Sequence, residues 1–292
     1  MKRFVSITPT CVIAVFMLSS PFDFSAQVTP LDSPRPIATL DTVVIEEMTW
    51  MEVRDAVKAG KTTAILASGG IEEAGPYVAN AKHNYNVRKD AEAIARKVGN
   101  ALVAPIMPMS PVDTTIEEDE GLYPGTFHLR AETYKQYLID VCTSLKRQGF
   151  KDIFLYTDNA ASRNALTETA KLLTDKWAKE SSPTRVYYIP EYRAQHEVID
   201  KQVLPGLGII EKGGTRGEGV HSSYRIEAIL LWMDPTLVRL DQRIAAGKTS
   251  INGVSLLPKE KTMEIGKKLF DVKVNGAADA IKKILETRKS SQ

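Results

Sequence analysis

Four short apolar runs alternate along this chain with segments in which apolar residues recur every three or four positions. The runs lie at 64–67, 101–106, 153–156 and 186–189, and each has the length of a buried strand. Strands that alternate with helices favour a mostly parallel sheet covered by helices on both faces. The pattern therefore predicts a single α/β domain with three α/β/α layers, and it shows neither an internal repeat nor a second domain boundary.

The helical segments have recognisable ends. Thr49 and Glu52 have the spacing of a capping box, and Gly60 follows the short helix that they begin. Apolar positions at helical spacing predict further helices at 87–98, 131–148, 166–177, 226–233 and 277–285. The strand ends and helix starts of this pattern are where ligands bind in open α/β sheets.

The N-terminus differs from the rest of the chain. Lys2 and Arg3 precede a short apolar run, which is typical of a secretory signal peptide over residues 1–26, and an uncleaved anchor is the alternative. Residues 27–41 are rich in proline and predict a flexible lead-in, so the domain is expected over 42–292. The predicted location is secreted or periplasmic. Cys142 would be the one cysteine of the mature chain and is expected in the core.

Composition excludes some classes of function. Of the 292 residues 43% are hydrophobic and 25% are charged, and the net charge is only +2. These values are ordinary for a globular protein, and the charge is too small and too scattered to indicate a nucleic-acid partner. After signal cleavage no membrane contact is expected.

The loop after the first run carries the most distinctive side chains. Glu72 and Glu73 follow Ser68-Gly69-Gly70, and Lys82 and His83 lie shortly before the next helix. Carboxylate and imidazole are ligand types that suit zinc, manganese and iron. An alternative interpretation remains open, in which the two glutamates are solvated loop residues and His83 caps the helix.

The histidines divide into two groups. His83 and His221 lie in glycine-rich loops, a placement that favours function, whereas His128 and His196 are expected to be exposed. The chain contains neither a dinucleotide-binding glycine fingerprint nor a Gly-x-Ser-x-Gly elbow. Metal-assisted hydrolysis is the leading chemistry, with a bound cation activating a water molecule and a nearby side chain moving protons.

Four separated segments carry a family resemblance. They read MTWMEVRDAVKAGKTTAILASGGIEEAGP, YPGTFHL, GFKDIFLYTDNAASRNAL and HSSYRIEAILLWMDPTLVR. Their order and spacing resemble the creatininase family of creatinine amidohydrolase-like proteins. The resemblance implies a creatininase-like α/β/α fold, a two-metal site and hydrolysis of non-peptide C–N bonds.

Several positions depart from the family pattern. Ala74 and Tyr77 stand where the family carries histidines, and His83 stands where an aspartate bridges the metals. Asn159 replaces the histidine of the second loop, although Asp158 precedes it. Ala74 has no donor atom, so the expectation is one divalent metal ion (zinc, manganese or iron) instead of two.

The resemblance assigns roles residue by residue. The metal is expected on Glu72, His83 and Asp158, and proton transfer on His221 with Glu227 or Glu120. Substrate contacts are expected from Tyr77, Lys82 and Asn159. The predicted function is metal-dependent hydrolysis of a small cyclic amide or amidine, a small-molecule substrate.

Two alternatives stay open. A catalytically inactive protein of the same fold would bind a small polar molecule without a metal. A metal-free lyase could use Lys82 and His83 as bases. The resemblance also suggests a homo-oligomer, for example a hexamer.

Overall fold

A four-stranded parallel sheet is formed by the apolar runs of the sequence. The computed structural model describes residues 29–111, 123–212 and 221–290. The chain divides into two units, Met1–Ala38 and Thr39–Gln292, and all the elements below belong to the second. Its strands are β1 (Thr63–Ser68), β2 (Ala101–Val103), β3 (Ser110–Pro111), β4 (His128–Leu129), β5 (Asp152–Thr157), β6 (Arg185–Tyr188), β7 (Ser250–Ile251) and β8 (Val254–Ser255).

The main sheet has the order β2-β1-β5-β6, and all its strand pairs are parallel. Thr63 pairs with Ala101 on one side and with Asp152 on the other. All residues of β1 and β5 are buried, as expected when helices cover both faces of a parallel sheet. The predicted α/β class with a mostly parallel sheet is confirmed.

The helices cover this sheet and extend the core beyond it. They are α1 (Trp50–Lys58), α2 (Lys82–Val98), α3 (Ala131–Arg147), α4 (Arg163–Lys179), α5 (Glu191–Val198), α6 (Leu204–Gly206), α7 (Tyr224–Met233), α8 (Leu240–Ala245) and α9 (Lys259–Ser290). Helix α9 packs against α2, α5 and α7, while α3 packs against α4. A second apolar cluster lies around α7 and includes Ile229, Leu230 and Leu269.

Local sequence signals account for several helix ends. The capping box at the start of α1 is formed, because the Glu52 amide donates to Thr49 Oγ1 at 3.4 Å and the Thr49 amide donates to Glu52 Oε2 at 2.8 Å. Helix α7 ends just before Pro235, as predicted. Cys142 is fully buried in α3, and this burial raises the pKa of its thiol to about 12.

Two helices differ from the predicted bounds. Helix α2 begins at Lys82, so Lys82 and His83 belong to its first turn and not to the preceding loop. Helix α9 is 32 residues long, far beyond the predicted 277–285. Among the described residues, no helix combines the length and apolar character needed to cross a bilayer.

Candidate active site

A cavity of about 260 Å³ lies where β1 and β5 end. Its walls come from the segments that follow these two strands, from the start of α2, and from α5 and α7. It therefore occupies the place where parallel sheets bind ligands. The lining residues are Glu72, Lys82, His83, Asn86, Asp158, Asn159, Ala160, Ala161, Arg193, His196, His221, Arg225 and Ile226.

Two glycines let the loop after β1 approach the start of α2. The Gly70 amide donates to Asn84 Oδ1 at 2.9 Å. A Cβ atom at Gly69 would lie only 2.0 Å from that oxygen, and one at Gly70 would lie 3.0 Å from Asn159 Nδ2. Side chains larger than hydrogen at these positions would therefore displace both asparagines.

Glu72 is the hub of the cavity floor. Its Oε1 atom lies 2.9 Å from Lys82 Nζ and 2.7 Å from His83 Nε2. Its Oε2 atom accepts from Asn159 Nδ2 at 2.9 Å. Burial alone would raise the pKa of Glu72, but the charges of His83 and Lys82 outweigh burial and hold this pKa well below its usual range.

His83 lies between two carboxylates. Its Nδ1 atom is 2.6 Å from Asp158 Oδ2, on the side of the ring away from Glu72. Burial and the charge of Lys82 would lower the pKa of His83, but Glu72 and Asp158 together raise it above its ordinary value. The arrangement therefore favours the imidazolium form.

Asp158, like Glu72, contacts several polar side chains besides His83. Asn86 Nδ2 donates to its Oδ2 atom at 3.2 Å, and its Oδ1 atom lies 3.3 Å from both Tyr192 Oη and His196 Nε2. Burial opposes ionisation of Asp158, but the charges of Lys273 and His83 hold its pKa well below the usual range. Asp158 is thus an ionised carboxylate inside the protein.

A closed polar network continues behind Asp158. Lys273 Nζ lies 2.9 Å from Asp90 Oδ2 and 3.2 Å from Tyr192 Oη. Tyr192 Oη donates to Asp90 Oδ2 at 2.5 Å. Asp90, Tyr192 and Lys273 are at most 1% exposed and do not line the cavity. The network connects α9 to the residues that hold His83.

His221 faces the glutamates from the other side. Its Nδ1 atom lies 3.4 Å from Glu73 Oε1 and 3.5 Å from Glu72 Oε1. Its φ of 61° lies in the left-handed region, which residues other than glycine rarely adopt and which recurs at functional sites. Burial lowers the pKa of His221, although the charge of Glu72 opposes this shift. A neutral imidazole is therefore favoured.

Two arginines form part of the wall. Arg193 donates to the main-chain oxygen of Asp158, and Arg225 Nε donates to Asp200 Oδ1 at 2.9 Å. Asp200 does not line this cavity. The lining thus carries three permanent cations, Lys82 and the two arginines, but only the carboxylates of Glu72 and Asp158. The charge of the wall favours an anionic ligand.

The structure brings together six of the residues proposed from sequence. Glu72, Lys82, His83, Asp158, Asn159 and His221 all line the cavity. Sequence reasoning missed Asn86, Arg193, His196 and Arg225, which also line it. The only sequence signal for His196 is its spacing from Tyr192 and Ile199, which places three residues on one buried face of α5 and its continuation.

Two of the other three proposed residues, Tyr77 and Glu227, do not line the cavity. The Tyr77 ring packs 4.8 Å from Cζ of Arg243, and Glu227 Oε1 lies 3.3 Å from Nη1 of the same arginine. Glu227 Oε1 also accepts from Ser222 Oγ at 3.1 Å. Tyr77 and Glu227 therefore surround Arg243 and not the cavity. Glu120 lies outside the described residues.

Two predictions of exposure need correction. The His196 side chain is only 11% exposed, because α5 turns it towards Asp158. Burial and the charge of Arg225 lower its pKa to about 3. His128 is half-buried in β4, and both its ring nitrogens are shielded from solvent.

A comparison with models of protein families shows to which family the chain belongs. The model of the family described as "Creatininase: Creatinine amidohydrolase" matches residues 46–281. The chain belongs to the creatininase family. The family and its fold suggest an amidohydrolase. No curated protein matches the chain.

Solved creatininases share the fold. A mutant creatininase of Zn–Zn type has a TM-score of 0.67 and 21% identity over 84% of this chain and 98% of its own. A manganese creatininase has a TM-score of 0.66 and 21% identity over 83% and 98% of the two chains. A mutant creatininase complexed with creatine has a TM-score of 0.64 and 20% identity over the same shares, 83% and 98%.

The donor atoms of this creatininase-family chain do not form the metal cage expected from sequence. The two ring nitrogens of His83 point away from each other, one to Glu72 and the other to Asp158. One cation cannot bind His83 together with both carboxylates in this arrangement. Throughout the part of the chain that the structure describes, no three histidine, cysteine, aspartate or glutamate side chains are grouped to hold a metal ion. The described geometry therefore does not fit one ion held by Glu72, His83 and Asp158 together, and this ligand set stays a prediction.

Proposed function

We propose that this protein hydrolyses a C–N bond in a small, negatively charged molecule. One observation carries the proposal: His221, which lines a cavity of about 260 Å³, places Nδ1 beside the carboxylates of Glu72 and Glu73, at 3.5 and 3.4 Å. The family description as creatinine amidohydrolase supports C–N bond hydrolysis, and the creatine complex of a related fold supports a small ligand. We propose a small cyclic amide or amidine as the substrate.

The chain's own side chains supply the acid–base chemistry. The carboxylates of Glu72 and Glu73 face Nδ1 of His221, so they favour the proton on Nδ1 and leave the lone pair on Nε2. In the proposed step, Nε2 takes a proton from a water molecule as that water attacks the carbonyl or amidine carbon. The same nitrogen then returns the proton to the leaving nitrogen. Such proton transfer contributes roughly 10²–10⁴-fold to a rate.

Charged groups of the wall serve the substrate. Arg193 and Arg225 would bind its anionic group, and Lys82 would stabilise negative charge that develops on the attacked group. Glu72 and Asp158 hold His83 in place from both sides. A divalent ion bound beside Glu72 would polarise the substrate and activate water. Since the described donors do not fit such an ion, no step above depends on one.

The test is a substrate screen with matched variants. Small cyclic amides and amidines, each with and without a carboxylate, are incubated with the protein, and products are measured by mass spectrometry. We expect turnover of carboxylate-bearing compounds, a loss of about 100-fold or more in kcat for His221→Asn, and little change for the control His128→Asn, whose side chain lies outside the cavity. Equal turnover by the two variants would rule out the proposed base.

The arginines are tested in the same assay. Arg225→Gln removes a charge-assisted contact worth about 1.5–3 kcal/mol, so KM for the carboxylate compounds should rise by roughly 10-fold or more. KM for the uncharged analogues should stay constant. A parallel rise for both groups of compounds would show that Arg225 does not select an anion.

A second candidate function has an observation of its own. Both carboxylate oxygens of Glu72 are already engaged by neighbouring side chains, which suits a rigid binding site as well as a reactive one. The protein would then bind a small anion without turning it over. Calorimetric binding of a compound from the screen, with no product after prolonged incubation, distinguishes this function from hydrolysis.

Location and assembly are also proposed. Residues 1–26 lie outside the described residues, and their sequence pattern alone supports export to the periplasm or the medium. N-terminal sequencing of the protein from its natural source tests cleavage after Ala26. A homo-oligomer is proposed from the family resemblance, and light scattering on the purified protein tests it.

A further inference from the structure

Lys82 is a buried lysine at an unusual place, the first residue of α2 and the floor of the cavity. It is 1% exposed, and its Nζ atom lies 2.9 Å from Glu72 Oε1 and 3.3 Å from the main-chain oxygen of Glu73. An ion transferred from water to the interior of a protein needs a charged partner and hydrogen-bond acceptors. Glu72 and the Glu73 carbonyl provide them.

The ammonium group of Lys82 is hydrogen-bonded to the carboxylate of Glu72, which a metal would need as a ligand. A divalent ion binds carboxylate oxygen and imidazole nitrogen at about 2.0–2.2 Å through their lone pairs. Here Glu72 Oε1 already accepts from Lys82 and faces Nε2 of His83. A second cation at this oxygen would lie within a few ångströms of the lysine charge, and like charges at that separation repel strongly when buried.

Apart from His83 and from His221, whose Nδ1 atom lies 3.5 Å from Glu72 Oε1, the neighbours of Glu72 are poor metal ligands. Ala74 is completely buried and has no donor atom. Asn159 uses its amide group as a donor to Glu72 Oε2, at 2.9 Å. His83 Nδ1 is directed to Asp158, away from Glu72. The neighbours of Glu72 thus present N–H groups to it, which is the pattern expected around an anion that is neutralised by protein cations.

We infer that the ammonium group of Lys82 is the resident cation of this centre and takes the place of a divalent metal ion. This cation is covalently attached, so chelators cannot remove it. It donates hydrogen bonds to Glu72 and the Glu73 carbonyl but offers no open coordination position. Turnover is not required, because the question is whether Lys82, together with His83, or a metal ion neutralises Glu72.

The first test measures metal in the wild-type chain. Protein purified without a metal-binding tag is incubated with zinc or manganese chloride, dialysed and analysed by elemental mass spectrometry. We expect far less than one metal ion per chain and no change in melting temperature on adding EDTA. About one tightly bound ion per chain would overturn the inference, whatever the protein is found to hydrolyse.

The second test removes the ammonium group. In Lys82→Ala the carboxylate of Glu72 loses the ammonium group, so zinc or manganese should bind Glu72 and, by displacing its proton, Nε2 of His83. Saturating metal should raise the melting temperature by roughly 5 °C or more, whereas the wild type should show no shift. Failure of the folded variant to bind either metal would contradict the inference.

Matched variants show where the metal binds. The double variant Lys82→Ala with Glu72→Gln should lose the gained metal. Lys273→Ala removes another lysine of 1% exposure, 2.9 Å from a carboxylate outside the cavity, and should gain none. Equal metal uptake by Lys273→Ala would overturn the assignment to the Lys82 position. Circular dichroism shows which variants are folded. If Lys82→Ala is unfolded, the metal content of the wild-type protein decides the test.

Discussion

Two buried lysines of this protein look alike and have different surroundings. Lys82 and Lys273 are each 1% exposed, and each places Nζ 2.9 Å from a carboxylate oxygen. Lys82 lines the cavity, whereas Lys273 lies behind it with Asp90 and Tyr192. The same ion-pair chemistry therefore occurs once where a ligand can reach it and once where none can.

The partners of the two lysines explain what each pair does. Glu72 keeps His83 and Asn159 as partners if Lys82 is removed, but Asp90 keeps only Tyr192 among its described contacts if Lys273 is removed. A buried carboxylate without a cation is strongly destabilising. The comparison indicates that Lys273 mainly stabilises the fold and that Lys82 mainly determines the chemistry of the cavity.

The largest expected effect is on stability, in Lys273→Met. Loss of this cation leaves Asp90 buried with a single partner and should lower the free energy of unfolding by about 3–5 kcal/mol. Lys82→Met should lower it by less, because two partners of Glu72 remain. Urea denaturation measures both. Lys201→Met, at an exposed i,i+4 pair with Glu197, is the control and should show no measurable change. Equal losses in the two buried variants would break the comparison.

A smaller effect concerns pH and separates the contribution of His196 to stability from those of the Glu72 and Asp158 carboxylates. The pKa of His196 is lowered to about 3 in the folded protein, against an ordinary value of 6.5. The unfolded chain therefore binds a proton below pH 6.5 that the folded chain does not, and stability falls as the pH is lowered from 6.5 towards 3.

His196→Gln removes this contribution, so the variant should lose less stability than the wild type between about pH 6.5 and 5. In that range the carboxylates of Glu72 and Asp158, whose pKa values are lowered, still contribute fully, because their ordinary values are 4.5 and 3.8. Urea midpoints at several pH values measure the difference. Identical pH profiles for the variant and the wild type would show that His196 is not held neutral.

The smallest expected effect is at Tyr77, which was proposed from sequence to contact the substrate. Its ring packs over Arg243, outside the cavity. Tyr77→Phe retains that ring, so KM should change by less than about twofold. Steady-state kinetics on a substrate from the screen measure it. A large rise in KM, with the fold unchanged, would place Tyr77 at the substrate after all.

Much of the fold could be predicted because its signals are local. The strands β1, β5 and β6 are short apolar runs, and the capping box of α1 requires only Thr49 and Glu52. The sequence predicts too short a helix α9, because its first half exposes many charged side chains. Its apolar positions are recognised as core positions only from their packing on α7. The periodicity of such a helix depends on tertiary contacts that the sequence does not display.

Part of the site could also be predicted from local signals. Residues that follow β1 and β5 meet because parallel strands bring their carboxyl ends to one edge. This rule placed Glu72 and Asp158 together correctly. Arg193, His196 and Lys273 come from α5 and α9, whose positions are set by helix packing, so their approach to Asp158 could not be inferred from spacing. The contact of Lys82 with Glu72 depends on the position of α2, which is also a tertiary property.

The position of α9 along the chain has a consequence for synthesis on the ribosome. Asp90 and Asp158 are made long before Lys273, which follows Asp90 by 183 residues. While the chain is being translated, these acids have no lysine to neutralise them, and water must solvate them instead. The charge balance around Asp90 and Asp158 can be completed only after α9 has emerged from the ribosomal tunnel. Nascent chains should therefore acquire the site in one late step, and not strand by strand.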